Sequence, residues 1–260
     1  MLEMTIDSIR VSMMNYQHVV ILKEKNSDRY LPIWIGPSEA DAISVKLQNI
    51  HLSRPLTHDL LKNTVFALES ISGASIRKVV VNDLKADTFY AQIVFEFDEG
   101  PVPVIVDLLP TNYKYRENDK DSSVSIVWQG RKYDTRLIGE YEDGGKVNLE
   151  VANNDGLIFN LYYDASRERW LLTRIKLDSR PSDAIALAVR VTTPIFVEDV
   201  VMDKAGIILD KETGKPLTTS KEEADKKGNP KVDEKEMKKL SAFYDFINTL
   251  DLDDLGKRQS

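Results

Sequence analysis

From about Glu99 to Arg169 the chain carries five short runs rich in β-branched and aromatic residues, VPVIVDLL, VSIVW, TRLIGEY, VNLEV and LIFNLYY, with polar or glycine-rich turns between them and no helical spacing anywhere. Such runs bounded by turn residues specify strands, and ANNDG between the last two is a hairpin signal. The chain must therefore carry an all-β insert.

On either side the signals alternate between strand and helix. Residues 4 to 13, 19 to 24 and 30 to 36 form strand-like runs, and PSEADAISVKLQNI follows as a helix. In it Ser38 can accept from first-turn amides, Asp41 is the acid of a capping box, and Ile43, Leu47 and Ile50 recur at helical spacing. LSRPLTHDLL (52 to 61) starts a second helix, with Thr57 as N-cap, Asp59 at the positive dipole end, an apolar face of Leu61, Val65 and Leu68, and Gly73 as its stop. Strands are expected at 75 to 83 and at 88 to 97, where Phe89, Ala91, Ile93, Phe95 and Phe97 share one side. After the insert come a strand, WLLTRIKL, and a third helix, DSRPSDAIALAVRV, whose Ala184, Ala186 and Ala188 admit a close neighbour. PIFVEDVVM (194 to 202) reads as a last strand.

The fold class expected is α+β: a mixed or antiparallel sheet core with about three helices, interrupted by the all-β insert and followed by a C-terminal helix. Residues 211 to 239 hold 9 Lys and 7 acids, too solvated for a core, so 210–232 is expected to be a flexible linker. In 233–260, Leu240, Phe243, Tyr244, Ile247 and Leu250 lie at helical spacings.

Among 260 residues, 42% are apolar, enough for a sizeable core, and none is cysteine, which excludes disulfides, thiolate metal sites and a cysteine nucleophile. The acidic, alternating start lacks the features of a secretory signal, and no run approaches the ~18 apolar residues of a membrane span. A cytoplasmic protein without a membrane partner is expected. A net charge of −7 argues against a broad grip on phosphate backbones, so any nucleic-acid contact is local, through a few Arg side chains or a carboxylate-held metal.

Two segments echo each other. PSEADAISVKL (37 to 47) and PSDAIALAVRV (181 to 191) both open a helix with Pro-Ser-acid, and SRP occurs at 53 to 55 and again at 179 to 181. Proline in a first helical turn explains both on backbone grounds, and a duplicated half-domain is the other reading.

Taken in order, LPIWIGPSEADAISVKL, RPLTHDLL, VVVNDLKADTFYAQI and KLDSRPSDAIALAVRVTTPIFVEDVV resemble the bifunctional nuclease domain family. The resemblance covers about residues 1–98 and 174–209, leaving 99–173 as the insert; family members usually join the TFYAQI strand to KLDSRPSDA by a short turn. FYDFINTLDLDDL is similar to the tail helix of many bacterial members, while the UvrB/UvrC-interaction motif of some members is not apparent. The resemblance implies an α+β fold, self-association into a homo-oligomer, and activity on both DNA and RNA.

Phosphodiester hydrolysis needs an activated water and charge neutralisation at phosphoryl oxygens, commonly from carboxylate-bound divalent ions with a His or Arg. His58 and Asp59 are candidate base and ligand, Asp83, Asp178 and Asp183 further ligands for Mg or Mn, and Arg54 and Arg180 phosphate clamps. No recognised metal spacing is present. Each residue also has a structural explanation: the arginines as ion-pair partners across the SRP turns, Asp59 and Asp183 as helix N-terminal acids, His58 as a surface cap. Trp34 and Tyr90 are candidates for stacking on bases, against the commoner core role of strand aromatics, and Trp128, Tyr113, Tyr115, Tyr162 and Tyr163 make the insert either a small binding barrel or an oligomer contact. Two functions from different classes follow: a metal-assisted nuclease of low selectivity, or a regulatory or scaffolding module that binds a protein or nucleotide partner without turnover.

Overall fold

In the computed structural model, which describes residues 1–11, 16–107 and 123–208, the described residues form thirteen strands and four helices in an α+β arrangement. They divide into two units, one built from residues 1–59, 79–91 and the stretch from Arg180 onward, the other from 60–78 and 92–179. Strands β4 (Ala74–Lys85) and β5 (Thr88–Phe97) contribute residues to both.

In the first unit β1 (Leu2–Val11), β2 (His18–Glu24) and β3 (Arg29–Ile35) form an antiparallel meander. The short β12 (Ile195–Val197) pairs antiparallel with β1 and parallel with β4, and β13 (Ile207–Ile208) pairs with β3. The order β4-β12-β1-β2-β3-β13 is thus a mixed sheet. Val20, Ile21 and Leu22 on β2 and Leu31 on β3 are wholly buried, so neighbouring side chains are shielded on both faces and the runs do not alternate. Helix α1 (Pro37–Leu47) lies against β2, α3 (Pro181–Val191) and α4 (Asp199–Ala205) lie against β3, and α1 packs on α3. The buried Ala184, Ala186 and Ala188 keep α3 slim.

In the second unit β6 (Val102–Asp107), β7 (Ser123–Trp128), β8 (Arg131–Asp143), β9 (Lys146–Ala152), β10 (Leu157–Asp164) and β11 (Arg169–Ser179) run antiparallel in succession, and β11 returns to β6. This closes a six-stranded barrel, which removes the exposed edges that separate hairpins would present. Register shifts between Leu137 and Gly139 and between Asn160 and Leu161 supply local bends. Phe159 and Leu161 fill the interior with Ile126 and Leu172, and Trp128 meets Phe97 edge-on at 5.8 Å. The ANNDG turn is held by Asn153, whose Oδ1 accepts from the amides of Asp155 (3.0 Å) and Leu157 (2.8 Å), with Gly156 at φ +83°. Strand β5 neighbours β11, so the strands that flank the insert stand side by side.

Four local expectations are corrected. PIFVEDVVM is a three-residue strand followed by α4, because Glu198 and Asp199 open a helix whose Val201, Met202 and Ala205 are buried at i, i+1, i+4. Ser38 does not cap α1: the cap position is Gly36, and it carries no side-chain cap. That helix ends at Leu47, leaving Leu47 and Ile50 exposed. Helix α2 (Thr57–Ser72) begins at Thr57, which moves the cap position to Leu56, and Leu61 and Leu68 of its expected inner face are exposed. Residues 12–13 of the first strand, Tyr113, Tyr115, the linker and the C-terminal helix lie outside the described residues. No described helix is long and apolar enough to cross a membrane.

Candidate functional site

Helices α1 and α3 start alike. Their cap residues, Gly36 (φ −70°, ψ 157°) and Arg180 (φ −70°, ψ 143°), are extended, each is followed by proline, and each helix carries one acid in its first turn, Glu39 and Asp183 respectively. Such an acid sits where the orphan amides and the helix dipole favour negative charge.

The exposed Arg180 side chain joins the two starts. Its Nε donates to Asp183 Oδ2 at 2.8 Å, and its Nη2 donates both to Asp183 Oδ1 at 3.2 Å and to Glu39 Oε1 at 3.3 Å. The Asp183 hydrogen bond, its charge and the Glu39 carboxylate raise the guanidinium above its ordinary pKa against a small cost of burial. His58, in the first turn of α2, places Nε2 3.5 Å from the same Asp183 Oδ1, with its side chain only 14% exposed. Three helix N-termini therefore contribute to one cluster of Glu39, His58, Arg180 and Asp183. Gly36 makes room for it, because a Cβ there would overlap the Glu39 carboxylate.

Asp59 is committed elsewhere. One oxygen accepts from the Leu56 amide at 2.9 Å, half of a capping box, and the other from Arg190 Nε at 2.7 Å. Burial pushes the carboxyl upward, but the Leu56 amide and Arg190 together outweigh it and hold Asp59 below its ordinary range. Arg190 is 5% exposed and also donates to the carbonyls of Ala186 (2.8 Å) and Ala42 (3.1 Å). One guanidinium thus ties α1, the start of α2 and α3 together.

The other candidates make different contacts. Asp83 is held by Lys85 Nζ at 2.6 Å and the Leu84 amide at 2.8 Å, and the Lys85 contact chiefly keeps it ionised to low pH. Asp178 lies on β11 in the second unit, exposed, with its amide donating to the Gly156 carbonyl. Arg54 is exposed on the turn before α2, without an ion pair among the described residues. The carboxylates expected as a set of Mg or Mn ligands, Asp59, Asp83, Asp178 and Asp183, are not gathered, and no three His, Asp or Glu side chains among the described residues assemble as a metal ion requires. Of the stacking candidates Trp34 is half-buried, Tyr90 carries Lys85 over its ring at 5.4 Å, and Trp128 belongs to the barrel core.

Sequence reasoning missed Glu39 and Arg190. The signal for Glu39 was present, since PSEA and PSDA set Glu39 and Asp183 at the same helical position; for Arg190 it was a lone charge inside the apolar run DAIALAVRV.

The model of the bifunctional nuclease domain matches residues 20–112 and 147–210. The chain belongs to the bifunctional nuclease domain family. The matched stretches contain α1, α2 and α3, and with them the whole cluster; the break at 113–146 contains β7 and β8. Two proteins of Mycobacterium tuberculosis, uncharacterized protein MT1877 (strain CDC 1551 / Oshkosh) and uncharacterized protein Rv1829 (strain ATCC 25618 / H37Rv), are each 28% identical to this chain over 246 residues, which is 95% of it and 94% of theirs.

Proposed function

We propose that this member of the bifunctional nuclease domain family hydrolyses phosphodiester bonds of DNA and RNA with low selectivity at the Glu39–His58–Arg180–Asp183 cluster. The observation that carries the reading is the double contact of Asp183, which holds Arg180 in a two-point grip and faces the largely buried His58 at 3.5 Å. Asp183 and Glu39 engage the Nε and Nη2 edge of Arg180, which turns Nη1 toward a phosphoryl oxygen. The Asp183 carboxylate, 3.5 Å from His58 Nε2, favours the tautomer protonated there, which leaves Nδ1 the lone pair that takes a proton from water as its oxygen attacks phosphorus and the bond to the leaving oxygen breaks. The test is hydrolysis of DNA and RNA by protein purified to homogeneity, with Asp183→Asn beside it: activity should travel with the native chain through the last column and be lost in the variant, and activity that separates from the chain refutes the reading.

A second reading, a non-catalytic module, draws on α2. Leu60, Phe66, Leu68 and Ile71 are 42–76% exposed, apolar surface of the kind that meets a protein partner, and a second copy of the chain is the simplest partner. It predicts binding without turnover.

A further inference from the structure

We infer that Arg180 is the resident cation of this cluster: its guanidinium occupies the space between Glu39 and Asp183 that a divalent ion would need, so the side chain and such an ion exclude each other. The inference concerns the same cluster as the proposed hydrolysis, but its test reads metal binding and not turnover, so each can fail alone.

Three observations carry it. Glu39 Oε1 and Asp183 Oδ1 accept from one and the same nitrogen, Arg180 Nη2, at 3.3 and 3.2 Å. The guanidinium therefore sits between two carboxylates that would otherwise face each other uncompensated at the starts of α1 and α3. Secondly, Asp183 Oδ2 also accepts from the guanidinium, at its Nε, and His58 Nε2 lies 3.5 Å from Asp183 Oδ1, so the guanidinium takes up carboxylate oxygens of the kind that suit Mn²⁺, with an imidazole nitrogen close by. Thirdly, with the guanidinium in place these groups do not approach as metal ligands must. Asp59, the other carboxylate at a neighbouring helix start, is bound to Arg190 and the Leu56 amide and is not free to make up a ligand set.

The two helix starts also differ in a way that fits this role. Position 180 supplies a cation, whereas its counterpart at the start of α1 is Gly36, so a single guanidinium serves both first-turn acids. Arg180 is 70% exposed, and removing it opens the carboxylates to solvent and to ions without leaving a hole in the core.

The experiment is titration of the full chain with Mn²⁺, free ion being counted by electron paramagnetic resonance, for the native protein, Arg180→Met, Arg180→Lys and the triple variant Arg180→Met/Glu39→Gln/Asp183→Asn. Arg180→Met should bind Mn²⁺ at least tenfold more tightly than the native chain, Arg180→Lys should stay near native, and the triple variant should lose the gain. If Arg180→Met does not fold, Arg180→Gln, which keeps a polar side chain at the exposed position, takes its place. Native protein that binds as tightly as the Arg180 variant, or a gain that persists in the triple variant, overturns the inference.

Discussion

Arg190 carries more structural weight than any single candidate for chemistry. It is almost fully buried, and its partners Asp59, Ala186 and Ala42 come from three helices. Replacing it by Ala leaves Asp59 without its counter-charge and should lower unfolding stability by on the order of 3 kcal/mol in urea titrations, the low end for a buried pair broken on one side because Asp59 is partly exposed. Arg190→Lys should recover only part of this, since an ammonium cannot span the same three acceptors. The same pair gives a pH signature. Asp59 has its folded pKa below the ordinary 3.8, so its contribution is fully present above that value and is lost as pH falls through the lower, folded one. Thermal melts between pH 6 and 2 should therefore show the native chain losing more stability on acidification than Asp59→Asn; parallel curves contradict the assignment. These residues were only half legible in the sequence. THD announced a helix start correctly, but which carboxylate serves the backbone and which faces a cluster depends on contacts 131 and 141 positions away along the chain, which no local pattern encodes.

At the scale of elements, the echo of GPSEA and RPSDA became two helix starts of matching geometry, and the space beside Gly36 decides where Glu39 lies. Gly36→Ala meets no backbone strain at φ −70°, so its melting should hold within roughly 0.5 kcal/mol or improve, while the displaced Glu39 should lower the proposed hydrolysis severalfold. A variant that melts and hydrolyses like the native chain removes Glu39 from the account. In the barrel, Phe159 is wholly buried and lies against Tyr133 at 5.1 Å between ring centroids. Phe159→Ala should cost about 3–5 kcal/mol and show as an early transition in calorimetry. The barrel strands were legible because alternation and glycine turns are local; the closure of β11 onto β6 was not, because it joins distant segments. Helix α4 was misread for the opposite reason, since β-branched Val200 and Val201 outweighed the acids that begin the helix. The expected inner face of α2 failed too: helical periodicity reveals an apolar face but not whether this chain covers it.

For the whole molecule, family membership and the cluster meet in the same stretches of chain, and β7 and β8 lie between the matched stretches. If α2 serves self-association, Ile71→Asp, at an exposed site, should leave melting nearly unchanged but lower the mass found by light scattering; an unchanged mass assigns that face no role in assembly. The measurement that bears most directly on the central claim is the rate at which homogeneous native, His58→Ala and Arg180→Ala proteins cleave fluorogenic DNA and RNA, each checked by melting. We expect both variants to melt near the native temperature and His58→Ala to lose at least about a hundredfold in rate on both substrates, the scale of a positioned general base. Native rates in both folded variants, or no cleavage by the native chain on either substrate, would contradict the claim.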